Sequence, residues 1–227
     1  MKPVYFDSAA TTRVHDEVID IMTETIKNEY GNASSTHSFG RSSKVLIEQS
    51  RKRIADSLNV SSGEIVFTSG GTEADNLALQ CAVRDLDVKH IITSKIEHHA
   101  VLHTVEQLRI NHSLTVSFVR LNKFGEVDLE HLEELMQTNY KSLVSLMHVN
   151  NEIGNILDVK RVGDLCQTYN VLFHCDAVQS IGHFEWDLQD IHVDFLAASA
   201  HKFHGPKGVG FAIINKKYKF LDKKIPG

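Results

Sequence analysis

Short apolar runs alternate with helix-length amphipathic segments along most of the chain, and this alternation restricts the fold more than any other feature. Apolar runs predict strands over 64–68, 90–93, 114–121, 142–148, 171–175, 194–198 and 209–214. Between them, apolar residues recurring at helical spacing predict helices over 41–58, 73–84, 98–109, 129–136 and 159–169. Ahead of these, residues 1–40 read as loops around one helix at 16–29, because YFDSAATT and GNASSTHSFGR are rich in Ser, Thr, Gly and Asn. Strands that alternate with helices of this length stack as a three-layer α/β/α unit around a mostly parallel sheet. Ligands in such sheets bind at the C-terminal ends of the strands, so the residues just after each strand carry the functional argument.

Composition sets the limits on that argument. A chain of 227 residues is enough for one large domain, or one domain with an appendage. The formal net charge of −5 gives no general attraction for nucleic acid or an anionic membrane, and neither is expected as a partner. The lysines at 216, 217, 219, 223 and 224 form a basic run whose ordinary reading is a solvated face. Three widely spaced cysteines, Cys81, Cys166 and Cys175, argue against a disulfide framework and for a reducing cytoplasmic setting. The start MKPVYFDSAATT lacks the apolar core of a secretory signal, and no apolar run approaches membrane-spanning length. Fourteen histidines raise the question of metal. His99 and His103 are one helical turn apart, but no third ligand is placed with them, so no metal is expected.

The densest chemistry lies in DFLAASAHKFHGPKG, residues 194–208. A buried strand ends there, and Lys202 follows it, flanked by Ser199, His201 and His204. A lysine at a buried strand end must be paired or lose its proton, and a neutral amine attacks an aldehyde. A lone lysine in a loop is more often simply solvated. Other strand ends shift the balance. Ser69-Gly70-Gly71-Thr72 opens a helix after strand 64–68, as an anion cradle does, although a plain N-cap has the same residues. After strand 90–93 come His98 and His99, at a helix start suited to ring stacking or proton transfer, or to an ordinary surface histidine. Asn150 and Asn151 precede Gly154 and either bind a ligand or close the turn. Asp176 ends strand 171–175 and either holds a protonated ring nitrogen or caps the next turn, with Gln179 close behind. An anion cradle, a stacking histidine, a carboxylate and an amine at one sheet edge are the set that pyridoxal phosphate requires.

In this order, SGGTEADN, EHHAV, HVNNEIG, HCDAVQS and SAHKFHGPKG resemble the cysteine desulfurases, class-V aminotransferase relatives among the fold-type I pyridoxal-phosphate enzymes. The resemblance covers nearly the whole chain and implies the large-domain fold of that class. It implies Lys202 as the Schiff-base lysine and Asp176 as partner of the pyridine nitrogen. His98 would stack on the ring and assist proton transfer, Gln179 would bond the ring hydroxyl oxygen, and Asn151 would line the same side. Gly71, Thr72, Ser199 and His201 would hold the phosphate, with the backbone of Ala200 close by. It further implies pyridoxal 5'-phosphate as cofactor, L-cysteine as substrate, a homodimer, and a sulfur acceptor or iron–sulfur scaffold as partner. The alternatives are another class-V enzyme, such as a selenocysteine lyase, and a catalytically inactive cofactor-binding fragment.

The resemblance departs at the end of the chain. Family members continue past the position of Gly227 with a persulfide-forming cysteine loop, a carboxylate-binding arginine and most of a small domain. The expectation is therefore a large domain over 21–227, a segment over 1–20 belonging to the small domain, and a small domain largely missing. None of the three cysteines falls in a comparable loop, and all three read as structural.

Overall fold

The structure is a computed structural model that describes residues 3–137 and 141–218. Lysines 219, 223 and 224 of the basic run lie outside the described residues. Helices α1 (Asp16–Asn28) and α2 (Ser38–Ser57) precede the sheet. Strand β1 (Ile65–Thr68) then leads into α3 (Gly71–Leu86), β2 (His90–Thr93) into α4 (His99–His112), and β3 (Thr115–Phe118) into α5 (Leu129–Met136). Next come β4 (Ser142–Met147), α6 (Val159–Thr168), β5 (Leu172–Asp176), β6 (Phe195–Ser199) and β7 (Gly210–Ile214). The strands form one sheet in the order β1-β7-β6-β5-β4-β2-β3. Only β7 runs against its neighbours, pairing antiparallel with both β1 and β6. The mostly parallel α/β/α expectation therefore holds.

Alternation within the strands assigns the two faces. Ile92, Val144, Leu146, Phe173, Cys175, Leu196 and Ala198 pack with residues of α2, α5 and α6. The intervening Ile91, Leu143 and Phe195 pack with α3 and α4. Farther along, Ala197 and Ala212 meet Ala74 of α3. Strands covered on both faces read as continuous apolar runs, which is why they were visible in the sequence.

Two elements differ from expectation. Strand β3 covers four residues rather than the eight of 114–121. It is an edge strand paired only with the four-residue β2, so the ladder has nothing further to pair with; Leu121 instead bridges Val127. Helix α2 begins three residues early because His37 caps it, its Nδ1 accepting the Gly40 N–H at 3.4 Å. Of its expected apolar face only the end is covered: Leu58 is buried, whereas Val45 is 54% exposed. Helix α1 buries no residue at all.

Where β7 inserts between β1 and β6, it passes very close to the turn that opens α3. A Cβ at Gly210 would clash with the Ala198 carbonyl and lie 2.8 Å from Gly70 Cα, both backbone atoms that cannot step aside. Gly210→Ala is expected to cost about 3 kcal/mol of stability, measured by urea unfolding of the cofactor-free chain. An unchanged midpoint would show that this approach is slack.

Candidate active site

A cleft of about 460 Å³ opens at the C-terminal edge of the parallel strands. Its walls include Gly71, Thr72, His98, Asn151, Asp176, Gln179, Ser199, His201 and Lys202. Of the residues assigned to the cofactor from sequence, only Ala200 is absent from the walls, and its N–H is committed to the Val209 carbonyl at 3.1 Å.

The start of α3 forms one end of the cleft. Gly70 stands at φ +156°, in a region that side chains disfavour, and offers no capping side chain. The first-turn amides therefore keep their outward direction and positive partial charge. A Cβ at Gly70 would meet only the Ser199 hydroxyl, at 3.5 Å, so main chain and Ser199 face each other without obstruction. A Cβ at Gly71 would lie 2.5 Å from Val178, so the loop after β5 presses against the helix start.

Asp176 ends β5 and is 5% exposed. It accepts the Val178 N–H at 3.0 Å, so it caps its turn and faces the cleft at once. Burial, followed by the nearby charge of Asp75, pushes its carboxyl up to about 7. Glu97, also buried, is pushed up to about 8, chiefly by desolvation. It accepts from the Ser94 hydroxyl at 2.5 Å. His98 caps α4 by accepting the Ala100 N–H on Nδ1 at 3.1 Å, which leaves its Nε2 as the protonated nitrogen of the neutral ring. The two asparagines divide the roles that sequence left open. Asn150 closes the turn, its Oδ1 accepting from the Glu152 and Ile153 N–H groups, while Asn151 lines the cleft.

Lys202 sits at the far wall. Its Nζ donates to the carbonyls of Ala9 and, at 3.0 Å, Ala10. Desolvation lowers its ammonium pKa, against the opposing pull of Asp176 and Asp7. Gln179 Nε2 donates to the same Ala9 carbonyl at 2.8 Å. The amides of Thr12 and His15 donate to the His201 and His204 carbonyls, at 2.8 and 3.0 Å. His201 Nδ1 lies 3.2 Å from the Thr11 hydroxyl. The N-terminal turn is thereby stitched along the lysine loop and adds Asp7, Ala9 and Ala10 to the cleft wall.

Sequence reasoning missed that turn, and it missed Asp75, which also lines the cleft. A signal for Asp75 existed: it follows Gly71 by one helical turn and so shares its face. The rings of His99 and His103 stack on each other at 5.2 Å. No cluster of three metal-ligating side chains occurs among the described residues.

The profile of the family described as aminotransferase class-V matches residues 4–223. The chain belongs to the class-V aminotransferase family. Among curated relatives, "Cysteine desulfurase IscS" of Dictyoglomus turgidum is 42% identical over 223 residues, covering 96% of this chain and 55% of that protein. "Cysteine desulfurase, mitosomal" of Trachipleistophora hominis is 41% identical, covering 94% of this chain and 49% of that one. The chain thus spans about half the length of the curated relatives it matches. A solved "NifS-like protein" superposes with a TM-score of 0.92 at 40% identity, covering 99% of this chain and 62% of that one. A structure of "SspA in complex with cysteine" gives 0.90 at 31% identity, covering 98% and 65%.

Pyridoxal phosphate is the cofactor of this family. The residues present fit it: an uncapped helix start beside Ser199 for the phosphate, a buried carboxyl for the ring nitrogen, and an amine for the aldehyde.

The buried carboxyls set the pH response of the cofactor-free fold. Asp75, Glu97 and Asp176 hold protons in the folded chain that the unfolded chain has lost. The stability they cost therefore grows as pH rises towards their folded values. His174 acts oppositely, but with a folded value of about 4 its effect ends near its ordinary pKa of about 6.5. Between about pH 6.5 and 8 the denaturant midpoint should fall as pH rises, and Glu97→Gln should flatten that slope. A midpoint that climbs across this window would contradict the assignment.

Proposed function

We propose that the chain carries the cofactor-binding layer of a cysteine desulfurase. That enzyme converts L-cysteine to L-alanine and passes the sulfur on as a persulfide, for iron–sulfur cluster assembly or tRNA thiolation. The observation that carries this reading is the convergence of Lys202, Asp176 and the uncapped start of α3 on one cleft. The names of the curated relatives, and the cysteine held by SspA, support the choice of substrate.

Each residue then has a task. Pyridoxal phosphate, when bound, supplies an aldehyde that captures amines and a ring that withdraws electrons. Gly71, Thr72 and Ser199 hold the phosphate, and His201 backs them. Ala200 contributes less than sequence suggested, because its amide is already used. Asp176 supplies a negative charge to the ring nitrogen. Gln179 and Asn151 orient the ring edge. Lys202 attacks as a free amine, which its partial burial favours. His98 stacks over the ring and moves a proton at Nε2, since Nδ1 is held by the helix start.

The sulfur acceptor is not among the thiols of this chain. Cys81, Cys166 and Cys175 are all buried. Burial raises all three thiols, Cys81 to about 11, so none offers a thiolate near neutral pH. We assign the enzyme to the cytoplasm on these reduced thiols. We also propose a homodimer, and place residues 1–20 against a small domain. Exposed apolar side chains support both: Phe6, 92% exposed, for the first segment, and Ile26 and Tyr30, 74% and 73% exposed, for the dimer.

Incubated with pyridoxal phosphate, the chain should turn yellow, and borohydride should fix the cofactor on Lys202. Lys202→Ala should lose that adduct while its melting temperature stays within a few degrees. An adduct that persists on another lysine would overturn the assignment. With L-cysteine, the 227-residue chain alone should give no sustained sulfide release in the presence of dithiothreitol. A persulfide trapped on Cys81, Cys166 or Cys175 would show that one of these thiols opens to the cleft.

A further inference from the structure

The N-terminal turn holds the amine that the proposed chemistry needs. Lys202 Nζ donates to the carbonyls of Ala9 and, at 3.0 Å, Ala10. Those oxygens belong to a turn closed on itself, since the amides of Ala10 and Thr11 both donate to the Asp7 carbonyl, at 3.1 and 3.2 Å. The Tyr5 hydroxyl braces the turn, 2.9 Å from the Asp7 carbonyl and 3.0 Å from that of Thr11. Thr12 then fastens it to the lysine loop. Its hydroxyl donates to the His201 carbonyl at 2.9 Å and accepts the His204 N–H at 2.8 Å, so it grips the chain on both sides of Lys202. The Thr12 amide donates to the same His201 carbonyl at 2.8 Å.

This bonding coexists with an open cleft. The cavity of about 460 Å³ is present with the turn in place, and Ala9 and Ala10 stand in its wall beside Lys202. The turn therefore leaves the ligand space free and sets where the amine rests next to it. Gln179 Nε2 also donates to the Ala9 carbonyl, at 2.8 Å, so that oxygen is held from two sides. An unprotonated lysine has two N–H donors, and the turn offers two acceptors; without them a half-buried amine would leave donors unmet. Lys202 is a free amine before it meets an aldehyde, and again when an incoming amine takes the aldehyde carbon. In that exchange the incoming nitrogen forms the bond to carbon that Nζ gives up. Its two hydrogens pass to Nζ, which leaves as –NH2.

We infer that the main-chain carbonyls of Ala9 and Ala10 are a dock for the free amine of Lys202, clamped by Thr12, which holds that amine at the cleft edge whenever it is not joined to the cofactor. The inference rests on the proposed function for its purpose, whereas the dock itself is a property of the empty chain. Its effect on binding is opposite to that of an ordinary cleft wall. To join the aldehyde, Nζ must leave both carbonyls, so the dock opposes capture of the aldehyde and favours its release. A ligand that leaves the lysine free also leaves the dock occupied, and the dock then contributes nothing to its affinity. Thr12 is a positioning residue and touches no reacting atom.

Two measurements test the inference, the first without cofactor. A carbonyl carbon signal moves downfield when its oxygen accepts a hydrogen bond. In the empty chain labelled with carbon-13 at the alanine carbonyls, Lys202→Met keeps the side-chain stem and removes the donor. It should move the Ala9 and Ala10 signals upfield and leave that of Ala55 in place. Signals that do not move overturn the dock even if the cofactor assignment stands. The second measurement compares pyridoxal phosphate, whose aldehyde takes Lys202, with pyridoxamine phosphate, which leaves the lysine free. The ratio of the two affinities separates the dock from packing, because a looser wall weakens both ligands alike. Thr12→Val should shift that ratio about fivefold towards pyridoxal phosphate, the equivalent of about one net hydrogen bond, and Thr12→Ser should return it to the wild-type value. Deleting residues 1–10 removes both carbonyls and should shift the ratio at least as far. An unchanged or opposite ratio in the deletion variant refutes the inference, as does a Thr12→Val shift that persists in the Lys202→Met background. Failure of the wild-type chain to bind pyridoxal phosphate would instead strike the proposed function and leave the first measurement valid.

Discussion

The site depends on how closely the first turn of α3 approaches three neighbours. Gly70 backs onto Gly210 of the antiparallel β7, Gly71 meets Val178 beyond β5, and Ser199 of β6 faces both. A side chain at Gly71 or Gly210 would push the helix start off the sheet. With the approach intact, the uncapped amides stand beside the ends of β5 and β6, so the anion end, the carboxylate end and the amine end of the cleft keep fixed distances. The antiparallel strand is part of this device. It lets β1 deliver α3 to the middle of the sheet's edge from an outer position, since β1 itself pairs only with β7.

The sequence was legible where one physical signal dominated. Strands covered on both faces must be apolar throughout, and Phe195-Leu196-Ala197-Ala198 or Leu143-Val144 cannot be much else. Polar residues that interrupt such runs at their ends had to be functional or costly, which is how Asp176, Ser199 and Lys202 stood out. Where pairing decided instead, sequence misled: the apolar run 114–121 has a four-residue neighbour and yields a four-residue strand. Capping by His37 carried no familiar signature either. The N-terminal turn reads as loop in the sequence, and it is loop. Its place against Lys202 comes from long-range bonds between residues 9–15 and 201–204, for which composition holds no sign.

Asp75 and His174 illustrate a different limit. Each is an ordinary residue in its own element, and His174 lies inside what reads as a plain apolar strand. Register is what brings them together: Ser145 opposite His174, Asp75 one turn into α3, and Asp176 two residues beyond. Burying three carboxyls and a histidine beneath the helix that opens the cleft destabilises the empty protein, and selection for stability alone would replace them with apolar residues. Their presence is more economically explained by the cation that the cleft is built to receive. A bound pyridinium returns to Asp176 the charge partner that the fold withholds.

The two faces of the sheet make this division of labour physical. Toward α2, α5 and α6 the strands present Val144, Leu146, Phe173, Cys175, Leu196 and Ala198, an apolar layer. Toward α3 the same strands begin apolar, with Leu143 and Phe195, and become polar along their length through Ser145, His174, Asp176 and Ser199. One face supplies cohesion and tolerates no charge. The other starts as core and ends as a polar wall, so the cleft opens where apolar packing stops. That gradient, set by every second residue of β4, β5 and β6, explains why the chemistry sits beneath the start of α3 and not elsewhere along the sheet edge.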